Sequence, residues 1–181
     1  NPPCRAPRRS SDQALAALAA NDPETEVRRA AIGAIGFASG DVALTAVLSA
    51  LSDSAWQVRE EAAATIGKLQ LKNAVEQLIG ALNDSYWQVR LCAARALGRL
   101  RDPRSVPALI ETLNHPISNL RKEAALALGE IGFTGALPAL EQIETDPDPE
   151  VRKSVRLSIA QIRATDRKAA RHARERSRTD L

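Results

Sequence analysis

Aromatic residues make up only 3% of this chain of 181 residues, two Trp, two Phe and one Tyr, and methionine is absent. Pleated sheets draw on aromatic and β-branched side chains, so this scarcity, set beside 44% hydrophobic content supplied mostly by Ala, Leu, Ile and Val, predicts an all-α fold. Cysteine is equally sparse. Cys4 and Cys92 lie far apart and follow no metal-ligand spacing, which excludes a disulfide scaffold and leads us to expect a cytoplasmic protein with reduced thiols. His115 and His172 are isolated and no carboxylates cluster, so neither a metal nor another cofactor is expected. No nucleophile, base and acid fall into a catalytic pattern, and the chain reads as no enzyme. Long apolar runs are missing too: nothing approaches the roughly 20 residues that cross a bilayer, and the start lacks the apolar stretch of a signal peptide.

What is present is charge, unevenly placed. The net charge is +3, yet residues 12 to 162 hold 15 Lys and Arg against 19 Asp and Glu, or −4. The first 11 residues contribute +3, and residues 163 to 181 carry seven basic side chains against three acidic ones. Three segments follow: a flexible basic, proline-rich start (1–11), a central body (12–162) and a basic tail (163–181).

The body repeats itself. Val27-Arg28, Val58-Arg59, Val89-Arg90, Leu120-Arg121 and Val151-Arg152 recur every 31 residues. Five residues before each pair stands Asp22, Asp53, Asp84, His115 or Asp146, and nine after its first member stands Gly36, Gly67, Gly98, Gly129 or Ala160. Apolar residues at offsets 0, 4, 7, 8 and 11 (Val27, Ala31, Ala34, Ile35, Ala38) trace one face of a helix. A second stripe lies between (Val75, Leu78, Ile79, Leu82, for example), so each unit is a helical hairpin. Polar turns such as Asp22-Pro23, Ser52-Asp53-Ser54 and Asn83-Asp84-Ser85 are expected to join and cap the helices. Glu141 and Glu144 replace apolar residues in the last hairpin, as suits a terminal cap.

These residues resemble the HEAT repeats, in particular the short PBS-lyase-like repeats named after phycobilin lyase subunits. The resemblance spans about residues 12–162 and rests on Asp84, Arg90, Ala93, Ala94, Ala96, Leu97 and Gly98 and their counterparts in each unit. It implies an α-solenoid of about five hairpins whose second helices line an inner, concave face. The chain departs from the pattern in a truncated first helix (12–20), in His115 where Asp is usual and in Ala160 where Gly is usual.

The Arg series invites a phosphate-binding reading, but each Arg comes with an Asp at fixed spacing. The better expectation is a structural ladder of Asp22, Arg28, Asp53, Arg59, Asp84, Arg90, Arg121, Asp146 and Arg152 that ties neighbouring turns together. His115 reads as a neutral hydrogen-bonding turn residue. Positions that vary while their neighbours stay constant are released from packing and available for recognition. On the second helices these are Trp56, Gln57, Glu60 and Glu61, then Trp87, Gln88, Leu91, Cys92 and Arg95, then Ser118, Asn119, Lys122, Glu123 and Leu126, with Tyr86 beside Trp87. Trp56 and Trp87, one repeat apart, are expected side by side, either as packing staples or as binding anchors.

Three functions compete. A non-catalytic scaffold gripping a partner protein on the concave face explains the sequence without additions. A phycobilin-lyase-like protein handling tetrapyrroles is the alternative; Trp56, Trp87, Tyr86 and Cys92 would contact the chromophore, but no His or Tyr set is present to donate protons, and no His lies in reach to activate Cys92. Nucleic-acid binding is not expected of the acidic body, and only weakly of the basic tail.

Overall fold

A computed structural model of the chain describes residues 8–35 and 41–179, with side chains over 11–35 and 44–171. Residues 1–7 of the expected flexible start, Cys4, Gly36 and Ala38 lie outside the described residues, as do the side chains of His172, Arg174, Arg176 and Arg178. The fold class is the all-α solenoid, and the described residues contain no strand. Among the described residues ten α-helices run in order: α1 (Arg8–Asn21), α2 (Thr25–Ile35), α3 (Asp41–Ala50), α4 (Trp56–Leu69), α5 (Val75–Ala81), α6 (Trp87–Leu100), α7 (Val106–Thr112), α8 (Ser118–Ile131), α9 (Leu137–Gln142) and α10 (Pro149–Thr179). Single 3-10 turns at Lys72–Ala74, Pro103–Ser105 and Thr134–Ala136 lead into α5, α7 and α9.

The period seen in the sequence is a period of structure. The even-numbered helices begin at Thr25, Trp56, Trp87, Ser118 and Pro149, 31 residues apart, and α4, α6 and α8 are each 14 residues long. Their constant side chains are buried: Val58, Ala62, Ala63 and Ile66 on α4, then Val89, Ala93, Ala94 and Leu97, then Leu120, Ala124, Ala125 and Leu128. The odd-numbered helices meet them with Val75 and Leu78, Val106 and Leu109, and Leu140. Removing each of the larger chains from water stabilises the fold by about 1.5–3 kcal/mol.

Two compact units divide the chain, Asn1–Ala96 and Leu97–Leu181, so that the division falls inside α6 rather than in a linker. In the first unit α1 packs on α2 and α3, and α4 packs on α2 and α3. In the second, α8 packs on α7 and α10, and α10 also packs on α9.

Two local expectations are corrected, one on the first helix and one on the turns. The first helix is not truncated: α1 has 14 residues and starts at Arg8, inside the segment read as extended, because no proline follows Pro7 until Pro23. At the other end α10 continues without a break through the basic tail to Thr179. Residues 150–181 contain no Gly or Pro and are rich in Ala and Arg, which hold a helix well even unpacked. Asp53 and His115 do not cap the helices after them directly: Ala55 and Ile117 occupy the N-cap positions without a side-chain bond, whereas Asp148 ahead of α10 accepts the Glu150 N–H at 2.8 Å. Asp53 instead accepts the Ala55 N–H at 2.8 Å, closing the turn ahead of α4.

The chain leaves α4, α6 and α8 through a left-handed residue at one position of the repeat, Gln70 (φ 53°), Arg101 (φ 52°) and Gly132 (φ 74°). At Gly132 this needs no Cβ to be accommodated. Elsewhere glycine serves close approach. A Cβ on Gly98 would lie 2.9 Å from Ala127 Cα, and one on Gly129 2.9 Å from Ser158 Cα, so successive second helices touch backbone to backbone there. Ala160, at the equivalent place on α10, is exposed.

Two alanine substitutions therefore have opposite expected signs. Gly129→Ala forces α8 and α10 apart and is expected to cost about 1–3 kcal/mol. Gly80→Ala, on α5 with nothing within 4 Å of the new Cβ, is expected to add about 0.5–1 kcal/mol. Urea unfolding of the two variants beside the parent reads both.

Candidate functional site

The site is built on the turns that precede the second helices. In each, a carboxylate accepts the N–H two residues on: Asp22 from Glu24 at 2.9 Å, Asp84 from Tyr86 at 2.9 Å and Asp146 from Asp148 at 2.9 Å. His115 performs the same task with Nδ1, which accepts the Ile117 N–H at 3.0 Å. A neutral imidazole thus substitutes for a carboxylate in closing the turn.

Three turns, those of Asp53, Asp84 and Asp146, are then gripped from one hairpin earlier. Arg59 donates Nε and Nη2 to the two oxygens of Asp84 at 2.7 and 2.9 Å, while its Nη1 donates to the carbonyls of Asp53 and Ser54 at 2.8 and 3.2 Å. Arg28 does the same with Asp53 (2.8 and 2.9 Å) and with the Asp22 and Pro23 carbonyls. Arg121 repeats it with Asp146 (2.7 and 2.8 Å) and the His115 and Pro116 carbonyls. The partner carboxylate lies 25 residues ahead, in the next turn, and the aspartate of the Arg's own turn is met only through its carbonyl. Arg152 donates to the carbonyls of Asp146 and Pro147 at 2.6 and 3.0 Å. Arg90 occupies the same register on α6 and is half-buried. Four donors of Arg28, Arg59 and Arg121 are committed in this way, which leaves little for a phosphate. The bidentate guanidinium holds Asp53, Asp84 and Asp146 below the usual carboxylate range, outweighing the opposing effect of burial.

On this frame the aromatic side chains gather in the first unit. Trp56, half-buried at the start of α4, stacks on Tyr86 with ring centroids 5.6 Å apart and planes 17° from parallel. The Arg59 guanidinium carbon sits 5.7 Å from the centre of the Tyr86 ring, a cation–π contact added to its ladder bonds. The ring stacked on Trp56 is Tyr86, the neighbour of Trp87. Tyr86 occupies the position before α6 and is fixed there by its N–H bond to Asp84, while Trp87, one residue on, is 42% exposed. Tyr86 itself is 45% exposed.

The remaining positions are mixed. Gln57, Glu60, Gln88 and Leu91 are half-buried, and Arg95 is exposed. In the second unit Asn119 is exposed and Lys122 and Leu126 are half-buried on α8. Glu123, read as a recognition position, is instead only 8% exposed and belongs to the packed face. Cys92 is half-buried, with Sγ 3.9 Å from Glu60 Oε1; burial, with the Glu60 charge next, pushes its thiol up to about 11. Such a thiol is a poor nucleophile at neutral pH. Among the described residues no group of three or more His, Cys, Asp or Glu side chains is placed to hold a metal ion, and no helix is long and apolar enough to cross a membrane. Sequence reasoning missed the stacking of Tyr86, because its place one residue before the repeated helix breaks no pattern, and it missed the 48% exposed Phe133 in the turn after α8.

The family model of HEAT repeats matches residues 11–90, 75–160 and 106–180. Among solved structures, the chain is similar to the CpcE and CpcF complex of phycocyanin lyase from Nostoc sp. PCC7120, with 24% identity, a TM-score of 0.75, and 90% of this chain and 68% of that chain covered. It is also similar to a designed armadillo repeat protein in complex with the peptide (KR)4, at 22% identity and a TM-score of 0.64, covering 82% of this chain and 80% of that chain. An engineered protein gives 22% identity, a TM-score of 0.63, and coverage of 84% and 79%. At these identities the likeness is one of fold. No curated protein sequence matches.

The ladder predicts acid sensitivity. Carboxylates whose folded-state pKa is depressed contribute stability that is complete above the unfolded value, near 3.9, and is lost as pH falls through the folded values. The urea midpoint is expected to drop steeply below about pH 4. Asp84→Asn should lower stability at pH 7 by about 1.5–3 kcal/mol and flatten that drop. An unchanged acid profile in this variant would show that Asp84 does not carry the effect.

Proposed function

The chain belongs to the HEAT repeat family, and on that premise we propose that it is a non-catalytic cytoplasmic scaffold. It binds a partner protein on the face of its second helices, which we place on the inner, concave side. The observation that carries this reading is the aromatic edge at the start of α4 and α6: Tyr86 and Trp87 are each nearly half exposed, yet the Tyr86 ring is stacked on Trp56 and lies beside the Arg59 guanidinium. Large rings held in place before binding supply apolar contact without the cost of ordering them. Leu91 extends the apolar centre along α6. Gln57, Glu60, Gln88 and Arg95 form its polar rim in the first unit; in the second unit Asn119, Lys122 and Leu126 on α8 are recognition positions of their own. The designed armadillo protein, similar in fold, is in complex with a peptide, and the CpcE and CpcF structure is itself a complex, which supports a polypeptide as the partner.

The second reading, tetrapyrrole handling of the phycobilin-lyase kind, is favoured by the likeness to the CpcE and CpcF complex and by the same aromatic edge. It is opposed by the state of Cys92.

Affinity capture from the native cell with the parent chain, with Tyr86→Ala/Trp87→Ala and with Leu157→Ala, a 61% exposed residue on α10, tests the scaffold reading. The double variant is expected to lose the captured partner, each ring being worth about 2 kcal/mol or more. The Leu157 variant is expected to retain it. Identical protein sets from all three would defeat the proposal. In a Cys4→Ser background, Cys92 is expected to react with iodoacetamide much more slowly than free cysteine at pH 7.5. Rapid alkylation, or a shift of bilin absorbance on mixing, would favour the lyase-like reading.

A further inference from the structure

The residues from Arg152 to Thr179 carry ten basic side chains against two acidic ones, Asp166 and Glu175, and seven of the ten basic positions share one side of the helix, with Arg152, Lys168 and Arg176 off it. At about 100° per residue, Lys153, Arg156, Arg163, Arg167 and Arg171 fall within about 80° of one another on α10. All five are exposed. Arg174 and Arg178 occupy positions in the same register. The opposite side of the helix is occupied first by Val151, Val155, Ile159 and Ile162, which bury α10 against the hairpins. Beyond Ile162 that side carries Ala169 and Ala170, both exposed, and the position of Ala173.

Two plain explanations fall short. Basic residues at a helix C-terminus complement the macrodipole, but that effect is confined to the last turn, whereas this row starts at Lys153 in the second turn. Solvation of a helix does not call for alignment of its cations, whereas here seven of them share one side and the two acids lie off it. Among the described residues the one ion pair made by the row joins Arg163 to Glu141 at 2.7 Å.

The geometry points to a binding site for duplex nucleic acid, in which the α10 row lies along the phosphate backbone independently of base sequence. Lys153 to Arg171 spans about 27 Å at 1.5 Å per residue, a straight line of cations separated by three to seven residues. A duplex offers one negative charge per about 1.7 Å of axis, so such a row is complemented along its whole length. Guanidinium groups, which make up all of the row but Lys153, match phosphate oxygens with paired donors. A membrane surface is disfavoured because the far side of the extension offers alanine methyls instead of the large apolar chains that insert. Single strands are disfavoured because no Phe, Tyr or Trp follows Phe133 to stack on unpaired bases. The site is separate from the aromatic edge and does not depend on its function.

Fluorescence anisotropy of the full chain with a labelled 20-base-pair DNA of arbitrary sequence, over 50–300 mM KCl, tests this. The expected result is salt-dependent binding that Arg156→Gln/Arg167→Gln/Arg171→Gln weakens at least tenfold at 100 mM, with the log–log salt slope shallower by about 2–3. Arg156→Lys/Arg167→Lys/Arg171→Lys should retain that slope, and Tyr86→Ala/Trp87→Ala should bind as the parent does. Circular dichroism of equal helicity ensures that charge, not folding, is compared. Absence of binding by the parent, an unchanged affinity in the Gln variant, or equal affinity for poly-glutamate or phosphatidylserine vesicles at matched anion concentration would overturn the proposal.

Discussion

The two-pronged bond from Arg28, Arg59 or Arg121 to the aspartate 25 residues ahead is the constraint around which three of the hairpin junctions are organised. Arg59 reaches both oxygens of Asp84, and Asp84 in turn holds the Tyr86 N–H. The same guanidinium fastens the carbonyls of its own turn. One side chain thereby fixes two consecutive turns, and with them the starting points of two consecutive helices. In a stack where each hairpin touches only its neighbours, errors of angle would otherwise accumulate. Because the pairs are largely shielded from water, with both side chains about 12% exposed in the Arg59–Asp84 case, loss of one partner leaves a charge without compensation.

The ladder also organises the candidate site. Tyr86 is exposed although it is aromatic, because its backbone is bonded to Asp84 while its ring is covered on one side by Trp56 and approached by Arg59. Structural and recognition roles therefore meet in Arg59: its planar edge is consumed by the turns and its cationic centre lies near the ring. This division explains why the arginine series, which resembles a row of phosphate binders when read as a string, offers so few open donors. The exposed arginines of α10, Arg156, Arg163 and Arg167 among them, stand outside that ladder.

How much could be read beforehand depended on whether a feature repeats. Val58, Val89 and Leu120, with the alanines that follow them, announced a buried stripe through their 31-residue spacing, and those side chains are buried. Gly98 and Gly129 likewise signalled close approach of helices. Glu123 was misread because variation between repeats was taken to mean exposure, whereas here the α8 face accommodates a carboxylate under cover. The left-handed residues Gln70 and Arg101 gave no warning, since only Gly132 of the three has the residue type that marks such a turn.

Periodicity, composition and the fixed offset between Arg and Asp were enough to establish an all-α array of hairpins, because each requires only neighbours along the chain and a helix geometry that never changes. Which aspartate an arginine would choose, which ring would stack on Trp56 and how far α10 would outrun its packing were settled by folding. Those outcomes depend on distances between side chains far apart in the chain, and such distances exist only once the hairpins have been laid against each other.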